Sequence, residues 1–354
     1  MSGTDDWRTL FGAEGIRRNF RAVKKHGRLL LLLPENRAAA AQCLTLYPAQ
    51  TRLAKIAKAA LGTALRLGVP GILPRQELCW DDAAALPAFI KVQAGDRPFQ
   101  CGFLLGNPRA EGRRWIIAVL VEGRLSFVVK AGCTQRGNAL ILAEMECLRS
   151  LPASAKGFPI LRGMLRGPVS ALALDYIGGA SPPVFGVEKR VVEILDSWLQ
   201  LAHQVSLVET AVWQEVRRSA PADLVALAEA RCTDKPFTPA IMHGDFAPWN
   251  IRAEGDRWTV IDWERGRLLG IPGWDWFHYW IQSDALVLRK SEGDILERLE
   301  RLIEHPAFRA FAARAGIAGR EKALIFAYLL HAVFVLRQTE GLATIAGLLA
   351  SFAR

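Results

Sequence analysis

Hydrophobic and polar positions change rhythm twice along the chain. Residues 28–33 form a short apolar run of strand length, 36–46 an Ala-rich helix, and 50–67 a longer helix ended by Gly68 and Pro70. On the longer helix Leu53, Ile56, Ala57, Ala60, Leu61 and Ala64 share one face at helical spacing, with Arg52, Lys55, Lys58 and Arg66 mainly elsewhere. From about residue 96 the pattern is that of strands, at 100–105, 115–121 and 125–130, with Glu122-Gly123-Arg124 as a tight turn between the last two. A polar loop, 106–112, separates the first two strands. A helix over 137–151 follows, then an apolar strand over 170–177 that ends in Gly178-Gly179. Beyond Gly179 the periodicity is helical near 188–205, 291–304, 319–337 and 341–352, broken by a hairpin at 250–262. The pattern predicts an α+β protein in three parts: a separate α/β extension over 1–95, a strand-rich part over 96–178 and a helical part over 179–354.

Composition sharpens this picture in two places. Of a net charge of +10, the first hundred residues hold 15 Lys+Arg against 8 Asp+Glu, so the basic excess belongs mostly to the extension. Such a surface is either merely solvated or faces an anionic membrane, a glycan or nucleic acid; the last is the least favoured partner. The six cysteines, at 43, 79, 101, 133, 147 and 232, make no CxxC pair and no zinc spacing with the histidines, which points to reduced thiols and a cytoplasmic location. The apolar run 29–33 is too short for a signal peptide, and 323–336 is too short to span a membrane and contains His331, which reads as a buried helix.

The candidate chemistry is concentrated in Ile241-Met242-His243-Gly244-Asp245-Phe246-Ala247-Pro248-Trp249-Asn250 and Thr259-Val260-Ile261-Asp262-Trp263-Glu264. Asp245 follows an apolar approach, in a turn opened by Gly244 and kept from helix by Pro248, where a carboxylate can meet a substrate hydroxyl. Asn250 and Asp262 offer oxygen ligands suited to Mg²⁺, which retains several waters and needs few protein groups. Glu264 is either a further ligand or a supporting group. His243 reads as a hydrogen-bonding anchor for the loop, and Asp275 as a brace on that loop within an aromatic helix, 274–280.

Upstream, Lys130 closes the apolar run Phe127-Val128-Val129 and shares a strand face with Val128. A lysine there is either a snorkelling surface residue or a contact for nucleotide phosphates held by a carboxylate. Glu144 is favoured over Glu146 as that carboxylate because it opens a stretch whose buried face is Met145, Leu148 and Leu151. Gly106 and Gly112 flank a loop that serves equally as a plain hairpin connection or as a cover over phosphates; it carries neither a Gly-x-Gly-x-x-Gly nor a Walker motif.

Taken together, His243-Gly244-Asp245 with Asn250, then Ile261-Asp262-Trp263-Glu264, then Pro272 and Asp275, resemble the signature of the aminoglycoside phosphotransferase and choline kinase family. The resemblance covers residues 96–285 well and leaves 1–95 outside. It implies a bilobal protein-kinase-like fold with ATP at a hinge near 175–179. It also implies Asp245 as the catalytic Asp, Asn250 and Asp262 as Mg²⁺ ligands, and Lys130 with Glu144, beside Gly106, as the ATP-phosphate contacts. The implied reaction moves the γ-phosphate of ATP to a hydroxyl of a small molecule such as a sugar, amino alcohol, aminoglycoside or lipid-linked glycan precursor. A catalytically idle nucleotide-binding module that recruits a partner through residues 1–95 is the alternative, and an anionic surface for those residues would make the protein peripheral at the inner membrane.

Overall fold

The computed structural model describes residues 3–25, 27–47, 52–68, 73–105, 112–132, 134–337 and 341–353. Two compact units emerge, Met1–Arg149 with Pro159–Ile177, and Ser150–Phe158 with Gly178–Arg354.

The first unit is built on one antiparallel sheet of eight strands. In chain order these are β1 (Ile16–Lys25), β2 (Arg28–Pro34), β3 (Arg75–Trp80), β4 (Phe99–Leu105), β5 (Arg114–Val121), β6 (Arg124–Gly132), β7 (Leu161–Leu165) and β8 (Ser170–Asp175). Their spatial order is β3-β1-β2-β4-β5-β6-β8-β7. Five helices accompany them: α1 (Gly3–Phe11), α2 (Arg37–Cys43), α3 (Arg52–Leu67), α4 (Ala85–Ala94) and α5 (Gln135–Arg149). Alternation along the strands sends side chains to two cores. On one face Leu32, Phe103, Ile117 and Val119 join Phe20, Trp80 and Trp115 under Trp7 and Phe11 of α1 and Leu86 and Ile90 of α4. On the other face Leu31, Leu33, Leu104, Ala118 and Leu120 pack on Ala39, Ala40 and Cys43 of α2. Gly102 makes the second contact possible, since a Cβ there would collide with the Cys43 side chain.

The boundary expected at residue 95 falls inside this unit. The 1–95 segment contributes three strands to the same sheet, joined to the rest where Leu31 pairs with Leu104 and Leu32 with Phe103. Strand β1 escapes sequence reading because, among its residues of described burial, only Phe20 and Ala22 are buried and Arg17, Arg18, Arg21 and Lys24 mask the alternation. Much of the basic charge there is met locally: Arg17 pairs with Glu77, Arg18 with Asp82 and Arg75 with Glu35. Residues 106–111, including Gly106, lie outside the described residues, as do Gln50 and Thr51 at the start of the expected long helix.

The second unit is mainly helical, as the α+β pattern anticipates. It contains α6 (Glu188–Asp196), α7 (Ala211–Ser219), α8 (Ala222–Cys232), α9 (Trp274–Gln282), α10 (Glu292–Ile303), α11 (Pro306–Ala315), α12 (Glu321–Leu330) and α13 (Leu342–Ala353). The helix expected over 188–205 stops at Asp196, and the one expected over 319–337 widens at His331 into a π-helical turn, His331–Leu336. Four short strands complete the unit: β9 (Ala240–Met242) pairs with β12 (Arg267–Gly270), and β10 (Ile251–Glu254) with β11 (Arg257–Val260). Every residue of α9 is buried, with Trp276 stacked on Phe308 of α11. Among the described residues no helix is long and apolar enough to cross a membrane, and the five described cysteines are free thiols.

Candidate active site

The site of the second unit begins with strand pairing. Strand β9 is held by β12, so the chain must leave Met242 into a loop, pass through a one-turn 3-10 segment (Pro248–Asn250) and return as the β10–β11 hairpin. Gly244 sits at φ +77°, and a Cβ there would stand 3.1 Å from both the Cβ and the carbonyl oxygen of Arg265. The left-handed backbone and the close approach together require glycine at this position.

Asp275 braces the start of the loop. Its Oδ2 accepts the His243 amide at 2.6 Å and its Oδ1 the Gly244 amide at 3.0 Å, so a buried carboxylate replaces two backbone partners that an irregular loop lacks. Burial pushes the Asp275 carboxyl up, against the opposing pull of His243 and of these two amides.

His243 ties the loop to the far strand. One ring nitrogen, Nε2, lies 2.9 Å from the carbonyl oxygen of Ile261, which can only accept, so Nε2 carries the proton. The other nitrogen, Nδ1, then accepts the Asp245 amide at 3.1 Å. With both nitrogens committed and no exposure, His243 is an anchor rather than a base.

Asp245 is held from two sides. Asn250 donates through Nδ2 to the Asp245 carbonyl at 2.9 Å and to its Oδ2 at 3.1 Å. His278 Nε2 stands 3.0 Å from Oδ1, and Tyr328 Oη stands 2.9 Å from His278 Nδ1. An ionised carboxylate only accepts, so His278 donates from Nε2 and receives the Tyr328 hydroxyl at Nδ1. Burial pushes the Tyr328 phenol up, which keeps it protonated for that role. Burial also works to raise the Asp245 carboxyl, but the His278 hydrogen bond and the electrostatic attraction of His278, Arg265 and His243 outweigh it, and the group lies below its ordinary range. Asp245 is therefore ionised at neutral pH while its side chain remains 26% exposed.

Asp262 joins the cluster through the backbone. The hairpin register pairs Ile251 with Val260, and the Ile261 amide donates to the Asn250 carbonyl at 2.8 Å, so Asp262 follows directly on the residue facing Asn250. It adopts φ +76°, a strained conformation for a residue other than glycine and one that clusters at functional sites. With its Nδ2 spent on Asp245, Asn250 keeps its amide oxygen as a ligand atom. An amide oxygen and a carboxylate, without thiol or imidazole, form a donor set that fits a hard divalent cation such as Mg²⁺.

In the first unit, Val128 and Lys130 face away from the core formed by Phe127, Val129 and Ala131. Lys130 Nζ reaches Glu144 of α5 at 2.6 and 2.8 Å, with the lysine 7% and the glutamate 0% exposed. The sequence pairing of these two residues is thus met in space, whereas Glu146 is turned to an exposed contact with Arg166.

His278 and Tyr328 were not singled out from the sequence. His278 lies three residues after Asp275, and that spacing puts both on one helix face, a readable signal. Tyr328 carries no such signal, being fifty positions away in an apolar helix.

Behind the loop lies a chamber of about 10 Å³, room for one water at most, lined in part by Gly244, Asp275, His278 and His331. Burial pushes His331 down to about 3 from an ordinary 6.5, so it stays neutral in the folded protein. Protonation then favours the unfolded chain: its contribution is intact above pH 6.5, declines as pH falls and is lost by about pH 3. Between pH 7 and 5 the loss is about 2 kcal/mol. The stability difference between wild type and His331→Phe, followed by chemical denaturation at the two pH values, is expected to shift by that amount in favour of the variant at pH 5. An equal pH response in both would remove His331 as the cause.

Residues 175–318 match the family model described as the phosphotransferase enzyme family, APH. No curated protein matches the chain. Among solved structures, aminoglycoside phosphotransferase APH(4)-Ia is similar at 14% identity, over 77% of this chain and 98% of its own, with a TM-score of 0.49. A choline/ethanolamine kinase family protein from Mesorhizobium loti is similar at 14% identity, over 70% and 86%, with a TM-score of 0.41. Aminoglycoside phosphotransferase APH(3'')-Id from Streptomyces rimosus is similar at 17% identity, over 70% and 96%, with a TM-score of 0.42. The matched segment contains residues 243–250, Asp262 and Asp275, so the phosphotransferase family model falls on the loop described above.

Proposed function

We propose that the protein transfers the γ-phosphate of ATP, in a Mg²⁺-dependent reaction, to an alcohol, with Asp245 as the catalytic carboxylate and Asn250 and Asp262 as the metal ligands. The observation that carries this reading is the Asp245 carboxylate itself, ionised, partly open to solvent and held at one oxygen by His278 and at the other by Asn250. Mg²⁺, when bound, offsets the charge of the nucleotide phosphates. A carboxylate oxygen accepts more than one hydrogen bond, so Asp245 is chemically suited to orient the acceptor hydroxyl and take its proton. The Asp275 brace and the His243 anchor hold the loop, so this orientation costs little ordering when substrate arrives. In the first unit Lys130, directed by Glu144, is the residue we assign to the nucleotide phosphates. The same reading takes the protein as cytoplasmic. It gives an anionic membrane or glycan surface to α3, where Ile56 and Leu67 are exposed and Lys58 and Arg66 flank them.

Asp262→Ala tests the metal assignment. Calorimetric titration with ATP over a range of Mg²⁺ concentrations is expected to show weaker binding and a flattened metal dependence. Unchanged metal dependence would refute Asp262 as a ligand.

A further inference from the structure

The residues after Asp262 run Glu264-Arg265-Gly266-Arg267, and their charges bear on what the site accepts. Arg265 lies against Gly244, and its positive charge acts on both Asp245 and His331. Its Nη1 is buried and has no hydrogen-bond partner among the described residues. A buried donor without a partner costs about 1–3 kcal/mol, a cost that a bound anion would remove.

Arg267 is differently engaged. Its Nη2 meets Glu215 Oε1 at 3.2 Å, and among the described residues Glu215 is the only carboxylate lining a surface pocket of about 360 Å³. The other walls are Arg218, Ser219, Phe334, Val335 and Arg337. Arg218 and Arg337 have no carboxylate partner among the described residues, so the pocket presents two unneutralised guanidinium groups once Glu215 is taken by Arg267. Among the described residues a cationic amine finds no available carboxylate there, whereas a phosphate or carboxylate finds donors matched to its geometry. The volume is that of a small-molecule site and suits a compound of sugar size.

The pocket and the chamber beneath Gly244 are lined in part by one helical segment, His331–Leu336. His331, at the start of the π-helical segment, lines the chamber beneath Gly244, while Phe334 and Val335 of the same segment line the pocket. Three or four residues of helix correspond to about 5–6 Å along the axis.

We propose that the phosphate acceptor is an anionic alcohol of sugar size, whose carboxylate or phosphate group is received by Arg218 and Arg337 and whose hydroxyl passes Arg265 to reach Asp245. The inference rests on the phosphotransferase reading above. In the reaction the acceptor oxygen bonds to the γ-phosphorus as the bond from that phosphorus to the ADP oxygen breaks. The hydroxyl proton goes to Asp245 and then to water, and the products are a phosphate monoester and ADP.

The test uses the full chain with Mg·ATP and four pyranoses of similar size: glucose, glucosamine, glucuronate and glucose 1-phosphate. ADP release and the mass of the sugar product are measured for each. The anionic sugars are expected to exceed glucose at least tenfold in kcat/KM, with glucosamine lowest; the glucuronate and glucose 1-phosphate arms separate a carboxylate from a phosphate preference. Arg218→Glu and Arg337→Glu, with Arg337→Gln as a milder change at the same surface, are expected to raise KM for the preferred anionic sugar tenfold or more, with most of the loss in KM rather than kcat. Preference for glucosamine, indifference to charge, or KM values unmoved by the arginine changes would overturn the proposal while leaving a phosphotransferase in place. Transfer to none of the four also overturns it. The underlying reading falls with it only if Asp245→Asn leaves residual ATP turnover unchanged.

Discussion

Asp275→Ala is expected to destabilise the second unit by about 2–4 kcal/mol and to remove most phosphotransferase activity, although Asp275 has no assigned contact with substrate. Two buried backbone amides, of His243 and Gly244, lose their acceptors together in this variant. Each unsatisfied buried donor costs about 1–3 kcal/mol, and relief of the desolvated carboxylate returns part of the sum. The loop would then lose the geometry that sets Asp245. Asp275→Asn, which keeps one acceptor oxygen, should recover about half of the stability loss. Chemical denaturation followed by tryptophan fluorescence measures both. A melting profile for Asp275→Ala that matches wild type would show that the loop is held by something other than this carboxylate.

How much of this site was legible depends on how local each feature is. The His243-Gly244-Asp245 turn, Asn250 and Asp262 lie within twenty residues of one another, so spacing alone carried the arrangement that the hairpin register makes physical. Asp275 was readable as a brace because a lone carboxylate inside an aromatic helix must find buried donors. The Lys130 and Glu144 pair was readable because strand alternation put the lysine on one face with Val128 and the helix pattern put the glutamate at the head of a stretch with a buried face. Tyr328 was not, since its only sign is a hydroxyl in an apolar helix, and its partner lies on another element. The same non-locality misplaced the boundary near residue 95: the pairing of Leu31 and Leu32 with β4 joins strands separated by some seventy residues, and no local pattern announces it. The charged face of β1 hid the strand that would have pointed to a continuous sheet.

Asp245→Asn removes the proton acceptor while keeping size and most hydrogen bonding. The neutral amide cannot take the proton of an acceptor hydroxyl, and general base catalysis of this kind contributes about 10²–10⁴-fold. His278 and Asn250 both donate to the native carboxylate, so the variant must also turn its own NH₂ group toward one of these donors. That clash adds to the loss, which is expected to be on the order of 10³-fold in kcat. Nucleotide affinity should change little, because the assigned metal and phosphate contacts are Asn250, Asp262 and Lys130.

The most direct measurement of the central claim is single-turnover transfer from γ-labelled Mg·ATP with enzyme in excess, in wild type and Asp245→Asn, alongside calorimetric nucleotide binding for both. Wild type is predicted to convert label into a phosphate monoester, and the variant to bind ATP with similar affinity while forming product about a thousandfold more slowly. Equal rates of product formation in the two proteins would contradict the account.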